Sequence, residues 1–152
     1  MTAADDLAGL IARTIETLRE LDAPQESLAT MKLRRFLPAK LVPRGRAWRL
    51  GVLLVGSDGT LYSTGTVTRA IEPLRGVANK SEEAEARREL RRAAVRGGFA
   101  EGETINLDAS PLTLGTGPLT EHDGVIMIEW SPGNPPRPLD AYLADRLSLL
   151  RE

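Results

Sequence analysis

The alternation of hydrophobic and polar residues is clearest in the middle of the chain, around the dipeptide Asp58-Gly59. An apolar run at 48–55 precedes this dipeptide, and an alternating segment at 60–68 follows it. An Asp-Gly turn between two such runs is typical of a β-hairpin. We therefore predict two paired strands here. The first should be covered on both faces, because apolar side chains occupy both of them.

Three further segments have the pattern of strands. The apolar run at 125–128 lies inside a strand that we predict over 124–130, and its lack of polar residues predicts a central position in a sheet. A second strand is predicted at 104–107, and a long loop is expected between these two strands. A short strand is predicted at 39–42, where neighbouring prolines allow only a loop or an edge strand.

The N-terminal part of the chain has a helical period. Leucine and isoleucine recur at three- and four-residue spacing over 5–22, which predicts an amphipathic helix. Pro24 is acceptable at a first helical position, so a second short helix is predicted from there to about Met31.

Two more helices are predicted later in the chain. The segment 81–96 has either Ser81 or Asn79 as its N-cap, and the glycine pair at 97–98 ends it. The segment 139–150 has leucines and a tyrosine on one side, which predicts a closing helix.

These elements predict an α+β fold with a mostly antiparallel sheet of four or five strands and helices packed on it. A length of 152 residues suits one core, so we predict a single domain over 1–152. Its predicted parts are the N-terminal helices at 1–31, a basic loop or edge strand at 32–46, the sheet with a central helix at 47–131, and the C-terminal helix at 139–150.

Composition narrows the classes of protein to consider. The chain has no cysteine, which excludes disulfides, thiolate nucleophiles and cysteine-ligated metals. It has neither an apolar run long enough to span a bilayer nor the start of a signal peptide, so we expect a cytoplasmic protein without a membrane partner. With one histidine and no other ligand cluster, we expect no cofactor and no metal.

Basic residues are concentrated in one segment, although the formal net charge of the chain is only −1. Residues 32–49 contain seven basic residues and no acid. Arginine forks suit phosphate or carboxylate, and an aromatic ring could stack on a ligand. The predicted anion-binding residues are Arg34, Arg35, Arg44, Arg46, Trp48 and Arg49.

A second interpretation of this segment is that its arginines pair with acids of the first and last helices. We do not expect nucleic acid as the partner, because the pI is about 5.9 and such proteins usually carry a basic footprint over the whole domain. An anionic small molecule or an acidic protein surface remains as the expected partner.

Four stretches of the chain resemble a known group of proteins. They are residues 46–55, 61–69, 92–103 and 137–146. In these stretches the chain is similar to small proteins of high-GC bacteria that genome pipelines label "glutaminase". The resemblance implies hydrolysis of a small amide as an activity to test, and it transfers no catalytic motif to residues of this chain.

The residues offer little for that chemistry. Serine-dependent glutaminases use Ser-x-x-Lys, and no lysine of this chain has a serine three residues before it. The segment Thr64-Gly65-Thr66 is the remaining nucleophile candidate, and its alternative interpretation is a strand face of β-branched residues. His122 lies between two acids, as a base or metal ligand would, but adjacent residues of a turn rarely converge on one point, so a solvated turn is the favoured interpretation. We therefore assign no catalytic residue.

The leading functional prediction is a non-catalytic binding or regulatory module for an anionic ligand or partner. The alternatives are a small-amide hydrolase and a structural protein that forms oligomers through its first helix. The possibility of a homo-oligomer is open at this point.

Overall fold

The computed structural model describes residues 2–73 and 81–152. Among these residues are three helices and nine strands, which is the mixed α+β composition that the sequence predicts. The helices are α1 (Ala3–Glu20), α2 (Glu82–Arg96) and α3 (Leu139–Leu150). The strands are β1 (Glu26–Arg34), β2 (Leu37–Leu50), β3 (Leu53–Gly56), β4 (Leu61–Ser63), β5 (Thr66–Arg69), β6 (Thr104–Leu107), β7 (Leu119–His122), β8 (Val125–Ile128) and β9 (Arg137–Pro138).

The strands form two sheets. The larger sheet has six strands in the order β4-β3-β2-β1-β6-β5, and the smaller has the order β7-β8-β9. Strands β1 and β6 pair in parallel, whereas β6 pairs with β5 in the antiparallel direction. The prediction of four or five strands is therefore wrong in number, and the sheet is mixed because β1 and β6 run parallel. Local patterning carries no signal for a partner strand so distant along the chain as β6 is from β1.

The chain folds as two compact units, each with its own core. The first contains Met1–Gln25, Ala47–Thr64 and Ser110–Glu152, and the second contains Glu26–Arg46 and Gly65–Ala109. The first core is built from α1, α3 and strands of both sheets, and its fully buried residues include Leu18, Leu53, Leu119 and Tyr142. In the second core α2 packs on the sheet through Ala93 and Ala94, which contact the cluster of Leu41 and Ile105.

Helix α1 confirms the predicted amphipathic helix. Thr2 is its N-cap and forms a capping box with Asp5, which satisfies backbone donors at the helix start. Its buried positions Ile11, Ile15 and Leu18 follow the helical period. The second helix predicted from Pro24 to Met31 is wrong, because the chain forms β1 from Glu26 onward.

The difference at β1 has a tertiary cause. Residues Ser27, Leu28 and Ala29 are buried and pair with Ile105, Asn106 and Leu107 of β6. Hydrogen bonds to β6 and burial outweigh the weak helical preference that Pro24 introduces, since propensity is overridden by context.

The segment 32–46, predicted as a basic loop or edge strand, contains the end of β1, a two-residue turn and the first part of β2. Its prolines, Pro38 and Pro43, lie outside the part that β3 pairs, which is Ala47 to Leu50. A proline has no amide hydrogen for a ladder, and at these two positions β3 requires no donor from β2.

The predicted hairpin at Asp58-Gly59 is confirmed, but both of its strands are shorter than expected. Val55 pairs with Leu61 across the turn, and the Asp58 carboxylate accepts a hydrogen bond from the Thr60 amide at 3.0 Å. The apolar run at 48–55 is divided by a second turn at Gly51, whose φ of 64° is in the left-handed region. The run at 60–68 is divided into β4 and β5, which pair with different strands.

The later predicted elements are found close to their predicted bounds. Ser81 caps α2 by accepting from the Ala84 amide, and the alternative cap, Asn79, lies outside the described residues. Strands β6 and β8 and helix α3 are confirmed, and β8 is the middle strand of the smaller sheet. The loop predicted between the last two strands contains β7, which was missed.

Candidate functional site

Strands β1 and β2 are joined by a turn at Arg35-Phe36 that carries exposed apolar and basic side chains. We call residues 31–37 the hairpin tip. Leu33, Phe36 and Leu37 are exposed by 82%, 86% and 60% respectively. Scattered exposed apolar residues are ordinary, but a cluster of large ones marks an interaction site. The hairpin tip is therefore the candidate functional surface.

The apolar residues of the two strands share one face of the ribbon. Side chains of a strand alternate between its faces, and Ala29 of β1 and Leu41 of β2 both belong to the core under α2. By this alternation Leu33 and Leu37 lie on the same face as Ala29 and Leu41. The apolar surface of the hairpin tip is thus the outward continuation of the second core.

Helix α2 covers this face only up to the middle of β2. At its C-terminal end the Arg96 guanidinium donates to the Ala39 carbonyl at 2.8 Å, and Gly97 packs directly against the backbone of Leu41. The helix ends at this point, so Leu33 and Leu37 project past it and remain exposed.

The basic side chains of the hairpin tip lie on the opposite face of the ribbon and in the turn. Lys32 and Arg34 alternate with Leu33 along β1, which places them on the opposite face of the ribbon. Arg34 donates from Nε and Nη2 to the Pro38 carbonyl at 2.9 and 2.6 Å. In the turn itself, the Arg35 guanidinium lies 5.1 Å from the centre of the Phe36 ring.

Two further predicted arginines lie in the part of β2 that follows. Arg44 donates from Nε to the hydroxyl of Thr30 at 2.9 Å. Arg46 forms an ion pair with Glu103 at 2.9 Å. The interpretation that the arginines pair with nearby acids therefore applies to Arg46, although its partner lies in the second unit and not in a terminal helix.

Glu103, the residue before β6, connects the start of β1 with the middle of β2. Its carboxylate accepts hydrogen bonds from the buried Ser27 hydroxyl, from the Ala100 amide at 3.2 Å and from Arg46. The Ser27 hydroxyl lowers the pKa of Glu103 most, with further lowering by the Ala100 amide and by Arg46. The cluster favours the ionised carboxylate and thus stabilises the fold when Glu103 is charged.

We expect Glu103→Gln to lower the free energy of unfolding by about 1 to 2 kcal/mol at neutral pH. The reason is that a neutral amide replaces the ionised carboxylate that accepts the three hydrogen bonds. The folded-state pKa lies below 4.5, so this stabilisation is present above 4.5 and disappears as the pH falls through the folded-state value. Urea denaturation between neutral pH and pH 3 should show the two proteins converging in acid. Glu101→Gln, at an exposed neighbouring position, is the control, and equal pH profiles for both variants would contradict the role of Glu103.

The remaining two predicted site residues belong to the first unit. Trp48 is only 4% exposed, and its indole N–H donates to the Ala23 carbonyl at 3.2 Å. Its ring packs in the first core, so the predicted stacking role of Trp48 is corrected to a core role. Arg49 is half-buried in the same unit.

Of the predicted site residues, only Arg34 and Arg35 therefore lie at the exposed hairpin tip. The sequence interpretation missed Lys32, Leu33 and Leu37. The alternation Met31-Lys32-Leu33-Arg34 is a strand signal that would have identified an amphipathic ribbon.

The two candidates for catalysis lie at the end of β7 and between β4 and β5. His122 is exposed at the end of β7, where Asp123 adopts a φ of 50° in the turn to β8. Gly65 brings the chain against β6, since an added Cβ would lie 2.6 Å from the Leu107 carbonyl. Its neighbours Thr64 and Thr66 are exposed there. Within residues 2–73 and 81–152, no group of three or more acidic, histidine or cysteine side chains is placed to hold a metal ion.

The first unit has an open groove of about 700 Å³ along α1. Its walls are the apolar side of α1, the turn at 57–59 and the loop at 112–114. Arg19 lines one end and donates weakly to the Ser57 carbonyl at 3.4 Å.

In the described part of the chain, no helix is both long enough and apolar enough to cross a bilayer.

Comparisons with known proteins add no relative. A scan against protein-family models found no matching family, and searches of curated proteins and of solved structures found no match.

Proposed function

We propose that this protein is a non-catalytic binding module that holds an anionic partner on its hairpin tip. The observation that carries the proposal is the exposure of Leu33, Phe36 and Leu37 beside the cations of the same tip. Exposed apolar side chains supply contact area, and adjacent cations attract and orient a negatively charged partner.

The charge distribution supports an anion. No acid occurs between Glu26 and Asp58, so the basic residues of this stretch have no acidic neighbour along the chain. Glu103, the residue before β6, forms an ion pair with Arg46, which lies farther along β2 from the tip. Lys32 and Arg35 are exposed at the tip, where a partner can contact them from solvent.

The test uses labelled poly-L-glutamate as the anionic probe, with fluorescence anisotropy at low salt. We expect the wild type to bind and Lys32→Glu/Arg35→Glu to bind about tenfold or more weakly, since each close ion pair in water contributes on the order of 1 kcal/mol. Added salt should weaken binding by the wild type.

The matched control is Arg87→Glu/Arg91→Glu, which makes the same change in net charge at two exposed positions of α2. This variant should bind the probe nearly as well as the wild type. Equal losses in both variants would mean that only net charge matters, and the assignment to the hairpin tip would be wrong.

Amide hydrolysis is the alternative that the glutaminase label implies. If the purified protein releases ammonia from glutamine, the present proposal is wrong and amide hydrolysis is the function. Oligomer formation through α1 stays a prediction.

A further inference from the structure

The hairpin tip is amphipathic in a way that restricts its partner. Its apolar side chains continue the face that α2 covers nearer the base, whereas Lys32 and Arg34 lie on the other face and Arg35 lies in the turn. Both faces of the ribbon are open near the turn, since Met31, Lys32 and Leu33 are consecutive and all exposed.

We propose that the hairpin tip inserts into the interfacial region of an anionic lipid bilayer, an inference that rests on the proposed binding function. Phe36, Leu33 and Leu37 enter the boundary between headgroups and acyl chains. Lys32, Arg34 and Arg35 contact the phosphates of anionic lipids. In this arrangement the protein lies on the membrane surface. This proposal replaces the sequence-based expectation of no membrane partner, which considered only spanning segments and signal peptides.

Three observations favour a bilayer over an acidic protein as the partner. Phe36, which is 86% exposed, lies in the turn itself, beyond the part of the hairpin that α2 covers. A bilayer accepts such a projecting group anywhere on its surface, whereas a protein must offer a matching pocket. Apolar residues bordered by lysine and arginine are also the composition of interfacial membrane anchors.

The third observation is the long alkyl stem of the cations. Lys32 and Arg34 can keep their charged groups at the headgroup level while Leu33 is buried, because lysine and arginine extend along an apolar boundary. Each basic residue close to the surface of an anionic leaflet raises the affinity for the membrane about fivefold. The absence of acids from 27 to 57 avoids repulsion from the same leaflet.

The experiment measures cosedimentation of the full chain with two kinds of vesicle, pure phosphatidylcholine and an equimolar mixture with phosphatidylglycerol. We expect binding to the mixture and little binding to pure phosphatidylcholine. Lys32→Glu/Arg35→Glu should weaken binding to the mixture by about 25-fold or more, from two basic contacts of about fivefold each.

The apolar contribution is tested by Leu33→Ser/Phe36→Ser, which keeps every charge. Its binding to the mixed vesicles should fall at least tenfold, because the apolar area of two large side chains is no longer removed from water. Its binding to poly-L-glutamate should change much less. The control is Leu149→Ser/Leu150→Ser, which removes two exposed apolar side chains from α3 and should leave vesicle binding unchanged.

A direct readout comes from Phe36→Trp. Its tryptophan emission should shift to the blue with mixed vesicles and be quenched by brominated lipid, relative to the signal of Trp48 and Trp130 in the wild type. A blue shift of this emission, together with weaker vesicle binding by Leu33→Ser/Phe36→Ser, supports insertion.

The outcomes separate this inference from the proposed function. If poly-L-glutamate binds but vesicles do not, or if Leu33→Ser/Phe36→Ser binds vesicles like the wild type, bilayer insertion is wrong and an acidic protein partner takes its place. If neither the polymer nor the vesicles bind, the proposed function fails as well.

Discussion

Replacing Gly97 with alanine is expected to lower the free energy of unfolding by about 3 kcal/mol, at the upper end of the usual cost of overpacking. A Cβ at this position would lie 2.1 Å from the carbonyl oxygen of Leu41. The obstacle is the backbone of an internal strand and not the end of a side chain. Relief therefore requires α2 to move away from β2, which opens the second core.

The neighbouring Gly98 is a matched control for this prediction. Gly98 has a φ of 81°, but a Cβ there would meet no atom within 4 Å. Gly97 has a φ of −74°, which alanine adopts without strain. Gly98→Ala should therefore cost about 1 kcal/mol from left-handed backbone strain alone. Urea denaturation of both variants checks the order, and a Gly97→Ala midpoint at or above that of Gly98→Ala would contradict the close contact of α2 with β2.

Gly51→Ala is expected to have a comparable effect in the first unit, also about 3 kcal/mol. Gly51 turns the chain between β2 and β3 with a left-handed φ of 64°. A Cβ there would lie 1.9 Å from the hydroxyl oxygen of Tyr142, a fully buried side chain of α3. Backbone strain and displacement of this side chain add to each other.

The Tyr142 hydroxyl allows the two contributions to be separated. It accepts a hydrogen bond from the Val52 amide at 2.9 Å, so Tyr142→Phe leaves a backbone donor unpaired and should cost about 1 to 2 kcal/mol. The double variant Gly51→Ala/Tyr142→Phe should lose less stability than the sum of the two single variants, because the clashing oxygen is absent. Additive losses in urea denaturation would show that the clash does not govern the cost.

The tip variants differ from these stability variants, because they change exposed residues and not residues packed in a core. Leu33, Phe36 and Lys32 are exposed, so their substitution removes little buried area and should leave the urea midpoint nearly unchanged. A loss of vesicle or polymer binding with an unchanged midpoint can then be attributed to the surface itself.

The sequence located part of the candidate site. The basic segment, including Arg34 and Arg35, was visible as a run of seven cations without an acid. The role of Trp48 was not visible, because an indole beside arginines has the same sequence pattern whether its ring faces solvent or packs in a core. Burial depends on which segments cover Trp48, and those come from distant parts of the chain.

The importance of Leu33 and Leu37 was missed for a related reason. In a linear sequence they look like ordinary strand residues whose apolar side faces a core. They are exposed because α2 ends at Arg96, where its last turn meets Ala39 and Leu41. The point at which one element stops covering another is a property of tertiary packing.

The sequence by itself determined the elements whose signals are local: α1 from its apolar period and capping residues, α2 and α3 from similar patterns, and the β3–β4 hairpin from its Asp-Gly turn. Tertiary structure alone decided that 26–30 belongs to a strand and not to a helix, that β1 and β6 run parallel, and that β4 and β5 separate at Gly65. Capping, periodicity and turn geometry involve neighbours within a few residues. Strand pairing and exposure depend on hydrogen bonds and contacts between segments that the chain brings together only on folding.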